Sequence, residues 1–215
     1  MATATVSCTP DSVLSFRIRP GTLAQLLQSR AEAGPRLICV EGSVTLVSPG
    51  RPHEWMRHRL HDLIGVVCTE LGIRRRALGS TTWALPPGSG DTAYEADEAY
   101  LVGHTGEGQP EATPDLAVEV VVTHPASKAL RAGEILKIPE LWVLDLNRNT
   151  LTFYRLATRG KAAGRYREVS KSRAFPFLSS AEVLERLNDP GADDTAFLRA
   201  CGEWARRTLA PRFRD

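Results

Sequence analysis

Apolar and polar residues alternate with two periods along this chain. From Pro52 to Leu71, Met56, Leu60, Leu63, Ile64, Val67 and Leu71 recur every three or four residues, one stripe of a long helix that Gly72 stops. Leu23, Leu26 and Leu27 give residues 21–32 the same period, a short helix after the alternating strand 13–18. Residues 37–41 and 43–48 are strand-like, divided by Gly42 and ended by Pro49-Gly50, and predict an antiparallel hairpin with Glu41 at its turn. Three more strands are expected over 73–85, 93–102 and 115–123, the last apolar enough to be central and buried on both faces.

Pro125 opens a helix over 126–137, and the strand 140–145 follows before the turn at Asn147-Arg148-Asn149, so a strand–helix–strand crossover is expected. Residues 150–156 and 165–170 read as an antiparallel pair, and 180–188 and 194–208 as two closing helices. No internal repeat occurs, and the linker-like stretch is DPGADD at 189–194. The expected organisation is a flexible start over 1–11, a domain over 12–178 and a helical extension over 179–215.

A chain of 215 residues buries roughly 70% of its unfolded surface, enough to hold a core without disulfides or structural metal. No run approaches the roughly 20 apolar residues a membrane span needs, and residues 1–11 lack the features of a secretory signal, so a cytoplasmic protein is expected. Cys8, Cys39, Cys68 and Cys201 lack CxxC spacing and read as reduced packing residues. The net charge of +2 is too small to name a nucleic-acid partner, so local clusters must carry that argument.

Glu119 breaks the local rules, because a carboxylate inside Leu116-Ala117-Val118-Glu119-Val120-Val121-Val122 is costly unless paired or bound to metal. Asp97 lies on the preceding strand, and neighbouring strands run about 5 Å apart, so the two acids are close enough to share one Mg²⁺. Asp115 is four residues before Glu119, about 13 Å at strand spacing, and cannot share that ion. It reads either as a turn residue after Pro114 or as a group supporting a ligand or facing the substrate.

The segments Val40-Glu41-Gly42, Ser48-Pro49, His53, Asp97, Pro114-Asp115-Leu116-Ala117-Val118-Glu119-Val120 and Pro139-Glu140-Leu141-Trp142-Val143-Leu144-Asp145 stand in that order. In this the chain resembles, over about residues 36–155, the Uma family of bacterial nucleases. Their fold is that of restriction endonucleases with a PD-(D/E)xK site. The resemblance implies an α/β fold: a mixed central sheet flanked by helices, with an N-terminal hairpin, a long helix and closing C-terminal helices. It also implies a Mg²⁺-dependent endonuclease, with Mn²⁺ as substitute, cutting DNA through a metal-activated water.

The lysine that such nucleases carry two residues after the second acid is Val121 here. The resemblance implies a migrated lysine on the following helix: Lys128, with Lys137 the weaker match. Asp97 and Glu119 would then hold the cation, with Lys128 beside the water or a phosphate oxygen. Glu41 is either a third acid or a solvated turn residue, and His53 either functional or a helix-start residue. Three departures stand out: Ala96 where a proline is usual, Val122 displacing the expected Ser with Thr123 one step on, and Leu136 at a usual aromatic. They leave open a rival reading, a catalytically silent fold that binds nucleic acid or a protein partner, with the direction of Lys128 as the discriminator.

A zinc site of His53, His58 and His61 is a third possibility, although at about 100° per residue His53 and His58 point about 140° apart. Arg57, Arg59, Arg74, Arg75 and Arg76 form a basic cluster that either meets phosphates or is a solvated face, and Arg206, Arg207, Arg212 and Arg214 read as a charged tail. A homodimer is implied only by the resemblance, since such nucleases often pair to cut two strands.

Overall fold

The computed structural model of the chain describes residues 9–10, 12–30, 34–104, 113–122, 125–189 and 193–214. Cys8, Thr123 and part of the linker-like stretch lie outside them. The first sheet is antiparallel, in the order β1 (Ser12–Arg17), β3 (Ser43–Ser48), β2 (Arg36–Val40), β6 (Ala93–Glu95), β5 (Thr82–Ala84). The second is mixed: β11 (Tyr166–Val169), β10 (Thr150–Leu156), β9 (Glu140–Asp145), β8 (Leu116–Val121), β7 (Glu98–Val102), β4 (Arg75–Ala77). Only β8 and β9 are parallel there, joined by the crossover helix α3 (Ser127–Ile135), and every β8 residue is buried.

The stretches 73–85 and 93–102, expected as two strands, are four. Residues 75–77 pair with 100–102 in the second sheet and 82–84 with 93–95 in the first, in one continuous register. The pair is therefore a single bent hairpin whose halves serve different sheets. One bend is the turn at Leu78–Thr81 with Gly79 left-handed, and the other falls at Ala96-Asp97. Asp97 thus lies at the corner between the sheets, next to the start of β7.

Helix α1 (Leu23–Ser29) packs Leu23 on the first sheet. Helix α2 (Arg51–Leu71) starts with a proline in its first turn and ends at left-handed Gly72. Its predicted stripe, Leu60, Leu63, Ile64 and Val67, meets Leu116, Val118 and Val120 from one face of β8. Helices α4 (Ser180–Leu187) and α5 (Asp194–Trp204) add Val183, Leu187, Phe197 and Cys201 to the same core. The predicted helix 194–208 passes from α5 into a π-helical turn, Ala205–Leu209, and ends in α6 (Ala210–Arg214). The other face of β8, Ala117 and Val121, packs with Tyr94, Ala129 and Ala132. Side chains alternate along a strand, so Glu119 belongs to this second face.

Glu140 is fully buried and clamps a distant loop. Its Oε1 accepts from Trp142 Nε1 at 2.8 Å, and its Oε2 accepts the backbone N–H groups of Arg173 and Ala174, each at 2.7 Å. Trp142 stacks on Phe153, with ring centroids 4.1 Å apart.

Candidate active site

Four elements meet at the corner between the sheets. Asp97 comes from the bend of the hairpin, Glu119 from β8, Arg36 from the start of β2 and His53 from the first turn of α2. The two acids and His53 are nearly inaccessible to solvent. Asp97 Oδ2 accepts the backbone N–H of Val120 at 2.7 Å, which ties the bend to β8 one residue beyond Glu119, and it lies 3.0 Å from His53 Nε2. Glu119 Oε2 accepts from the Tyr94 hydroxyl at 2.7 Å. The structure therefore brings both predicted acids to one buried corner.

The charges are balanced by groups that the sequence pattern did not mark. Arg36 Nε stands 2.7 Å from Asp97 Oδ1, an ion pair in which the N–H is not aimed at the oxygen. Its Nη2 makes an aligned hydrogen bond to Glu54 Oε1 at 3.1 Å. Burial opposes the Arg36 charge, but Asp97 and Glu54 outweigh it and Glu119 adds to them, so its pKa is raised. For His53, burial again opposes the charge and the bond to Asp97 prevails, raising the imidazole pKa. Burial, then the neighbouring Glu119, puts the Tyr94 hydroxyl well above its ordinary range. Glu54 is held below the usual carboxylate range, because Arg57 and Arg36 outweigh its partial burial. Arg36 and Tyr94 are ordinary strand residues in sequence, and only the tertiary corner gives them a role.

Other predicted residues lie elsewhere. Glu41 takes a left-handed conformation at the hairpin turn, and its exposed carboxylate pairs with Arg131 at 3.2 Å, so the structure does not bring it to the acids. Lys128 donates from α3 to Ser43 Oγ at 3.1 Å and Thr45 Oγ1 at 2.5 Å, and among the described residues it forms no ion pair with Asp97 or Glu119. Lys137 is exposed and ends α3 in a left-handed conformation. Asp115 accepts the Val102 N–H at 3.0 Å and lies 2.8 Å from His104 Nε2, which makes it a strand-end clamp.

The histidines do not converge. His53 meets Asp97, His58 is exposed beside Arg57, and His61 Nδ1 lies 3.3 Å from Glu98 Oε2. The basic cluster is likewise divided. Arg57 is taken up by Glu54 and Glu98, and Arg59 is buried, with its guanidinium 3.9 Å from the Phe197 ring centroid. Arg74 and Arg76 are exposed, while Arg75 is half-buried over Tyr100. In the tail, Arg206 pairs with Glu70 and Arg212 with Glu182.

The donor types suit a hard divalent cation. Among the described residues no three His, Cys, Asp or Glu side chains form a ready metal cage, but Mg²⁺ commonly keeps several waters and takes one or two carboxylates. Asp97 and Glu119 are such a pair, already buried and presented from adjoining backbone.

A mixed α/β architecture of this kind is that of the restriction-endonuclease-like proteins. The chain belongs to the Uma2 family, described as "Putative restriction endonuclease", whose model matches residues 23–190. A crystal structure described as a "putative nuclease belonging to DUF820" from Anabaena variabilis ATCC 29413 is similar to it. That match has a TM-score of 0.52 at 16% identity, covering 77% of this chain and 98% of that one, and it bears on the fold. No curated protein matches the chain. No helix among the described residues is long and apolar enough to cross a membrane.

Proposed function

We propose that the protein is a divalent-cation-dependent endonuclease that hydrolyses phosphodiester bonds in DNA at the corner formed by Asp97 and Glu119. The observation that carries this reading is the pair itself: two carboxylates, each nearly inaccessible, placed together where a fully apolar corner would be more stable. A bound Mg²⁺ or Mn²⁺ would supply a Lewis acid and lower the pKa of an attacking water. Asp97 and Glu119 are the residues that would hold it. His53 fixes Asp97 from behind through Oδ2, and the Tyr94 hydroxyl fixes Glu119. Lys128 is anchored by two hydroxyls, an anchorage that a phosphate oxygen can replace. Arg74 and Arg76 offer exposed charge to the backbone of the nucleic acid.

One observation favours a second reading. Lys128 engages β3 rather than the acids, and Val121 stands at the usual lysine position, as a silent fold that binds nucleic acid without cutting it would have. Cleavage of supercoiled plasmid and of single-stranded DNA with Mg²⁺ or Mn²⁺ separates the two. Folded Asp97→Ala, Glu119→Ala and Lys128→Ala variants should each lose the wild-type activity. Wild type that binds DNA without cutting it would establish the silent reading.

A further inference from the structure

The corner that would take a divalent cation already holds a cation of the chain's own. We propose that Arg36 is an internal counter-ion that competes with a divalent cation for Asp97 and withdraws onto Glu54 when the cation binds. This rests on the assignment of Asp97 and Glu119 as the cation-holding pair.

Arg36 touches the two acids differently. Toward Asp97 it is close, Nε to Oδ1 at 2.7 Å, but the N–H is not aimed at the oxygen. Toward Glu54 it makes an aligned hydrogen bond at 3.1 Å. The attachment to Asp97 is thus mainly charge, which a divalent cation replaces with interest, whereas the directional bond goes to a residue outside the cation-holding pair.

Burial sharpens the exchange. The Asp97 side chain is 3% exposed and that of Arg36 14%, so neither charge can be left alone without a large desolvation penalty. Glu54 is 34% exposed and is shared with Arg57, so it can keep the guanidinium at the rim of the corner, where water covers the remaining charge. Below the corner, Val120 N–H and His53 hold Asp97 Oδ2, so that oxygen stays fixed while Oδ1 changes partner. A guanidinium and a divalent cation at Oδ1 repel each other, so Arg36 keeps the pair neutralised without cation and sets a threshold for cation entry.

The test is calorimetric Mn²⁺ titration of wild type, Arg36→Met, Glu54→Gln and the double variant, with Arg Nε–H NMR of the wild type on Mg²⁺ addition. Arg36→Met should bind Mn²⁺ about tenfold tighter than wild type, as removal of one competing unit charge predicts. Glu54→Gln should weaken binding several-fold with Arg36 present, and that loss should vanish in the double variant. The Arg36 Nε–H resonance should move saturably with Mg²⁺, a readout that needs no variant to fold. Equal affinity in wild type and folded Arg36→Met, or an unmoved resonance while Mg²⁺ binds, overturns the competition and leaves the cation site standing. No binding in either protein overturns both.

Discussion

Glu140 offers a quantitative test of how the segment Pro139-Glu140-Leu141-Trp142 works. Its buried carboxylate receives one indole and two backbone N–H groups at 2.7–2.8 Å. Glu140→Ala orphans all three donors and leaves a small cavity. Each buried orphan costs about 1–3 kcal/mol, and because Arg173 is exposed, water recovers part of the two backbone groups, giving about 3–5 kcal/mol in all. Glu140→Gln is the sharper variant. Its amide has one oxygen, so if that oxygen serves the backbone pair its NH₂ faces the Trp142 indole, and if it is flipped its NH₂ faces two N–H groups. The cost is about 1–3 kcal/mol despite near-identical shape. Urea unfolding followed by tryptophan fluorescence measures both, and for a chain of this size each kcal/mol lowers Tm by about 2–4 °C. Glu140→Gln as stable as wild type within about 0.5 kcal/mol would refute the clamp.

A Cβ at Gly133 would come within 2.6 Å of the Tyr166 hydroxyl, which is held on the Ile138 carbonyl, so Gly133→Ala should cost about 1–3 kcal/mol in the same assay. Gly65→Ala, which meets only the end of the flexible Arg75 side chain, should cost less. Burial pushes the Cys68 and Cys201 thiols up to about 11, so mass-mapped iodoacetamide labelling at pH 7.5 should leave both unmodified in the native protein and modify both in urea. Glu134 is held below its ordinary value of 4.5: burial opposes its charge, but the Tyr166 N–H, Arg165 and Arg131 outweigh that. A depressed carboxylate stabilises the fold above its unfolded pKa and loses that contribution as pH falls through the folded value. Glu134→Gln should therefore cost about 1 kcal/mol at pH 7 and progressively less as pH falls below 4.5, read by urea unfolding across that range.

The helical stripe of α2 and the apolar run of β8 were legible because each writes a clear period or composition into the chain. The bent hairpin was not. The polar run Glu95-Ala96-Asp97-Glu98 interrupts the alternation there, but a change of sheet at constant register is decided by tertiary pairing that the run does not specify. Glu119 could be found because a lone carboxylate in an apolar strand breaks a local rule. Arg36 could not, since an arginine opening a strand breaks none, and its role depends on a corner built from four separate elements. Arg57 and Arg59 show the reverse: basic residues on a helix read as a solvated or phosphate-binding face, yet tertiary partners take up both. Glu41, open in sequence between a third acid and a solvated turn residue, is an exposed turn residue paired with Arg131, since the length of β2 separates its turn from Arg36 and the acids.

The central claim is that Asp97 and Glu119 form a reaction centre for phosphodiester hydrolysis. Its most direct test is the single-turnover rate on an end-labelled DNA duplex with Mn²⁺, comparing wild type with Glu119→Gln after both are shown to be folded. The account predicts cut product from wild type and a rate at least about a hundredfold lower in the variant, the loss expected when a group stabilising transition-state charge is removed. Equal cleavage by the two proteins would contradict it.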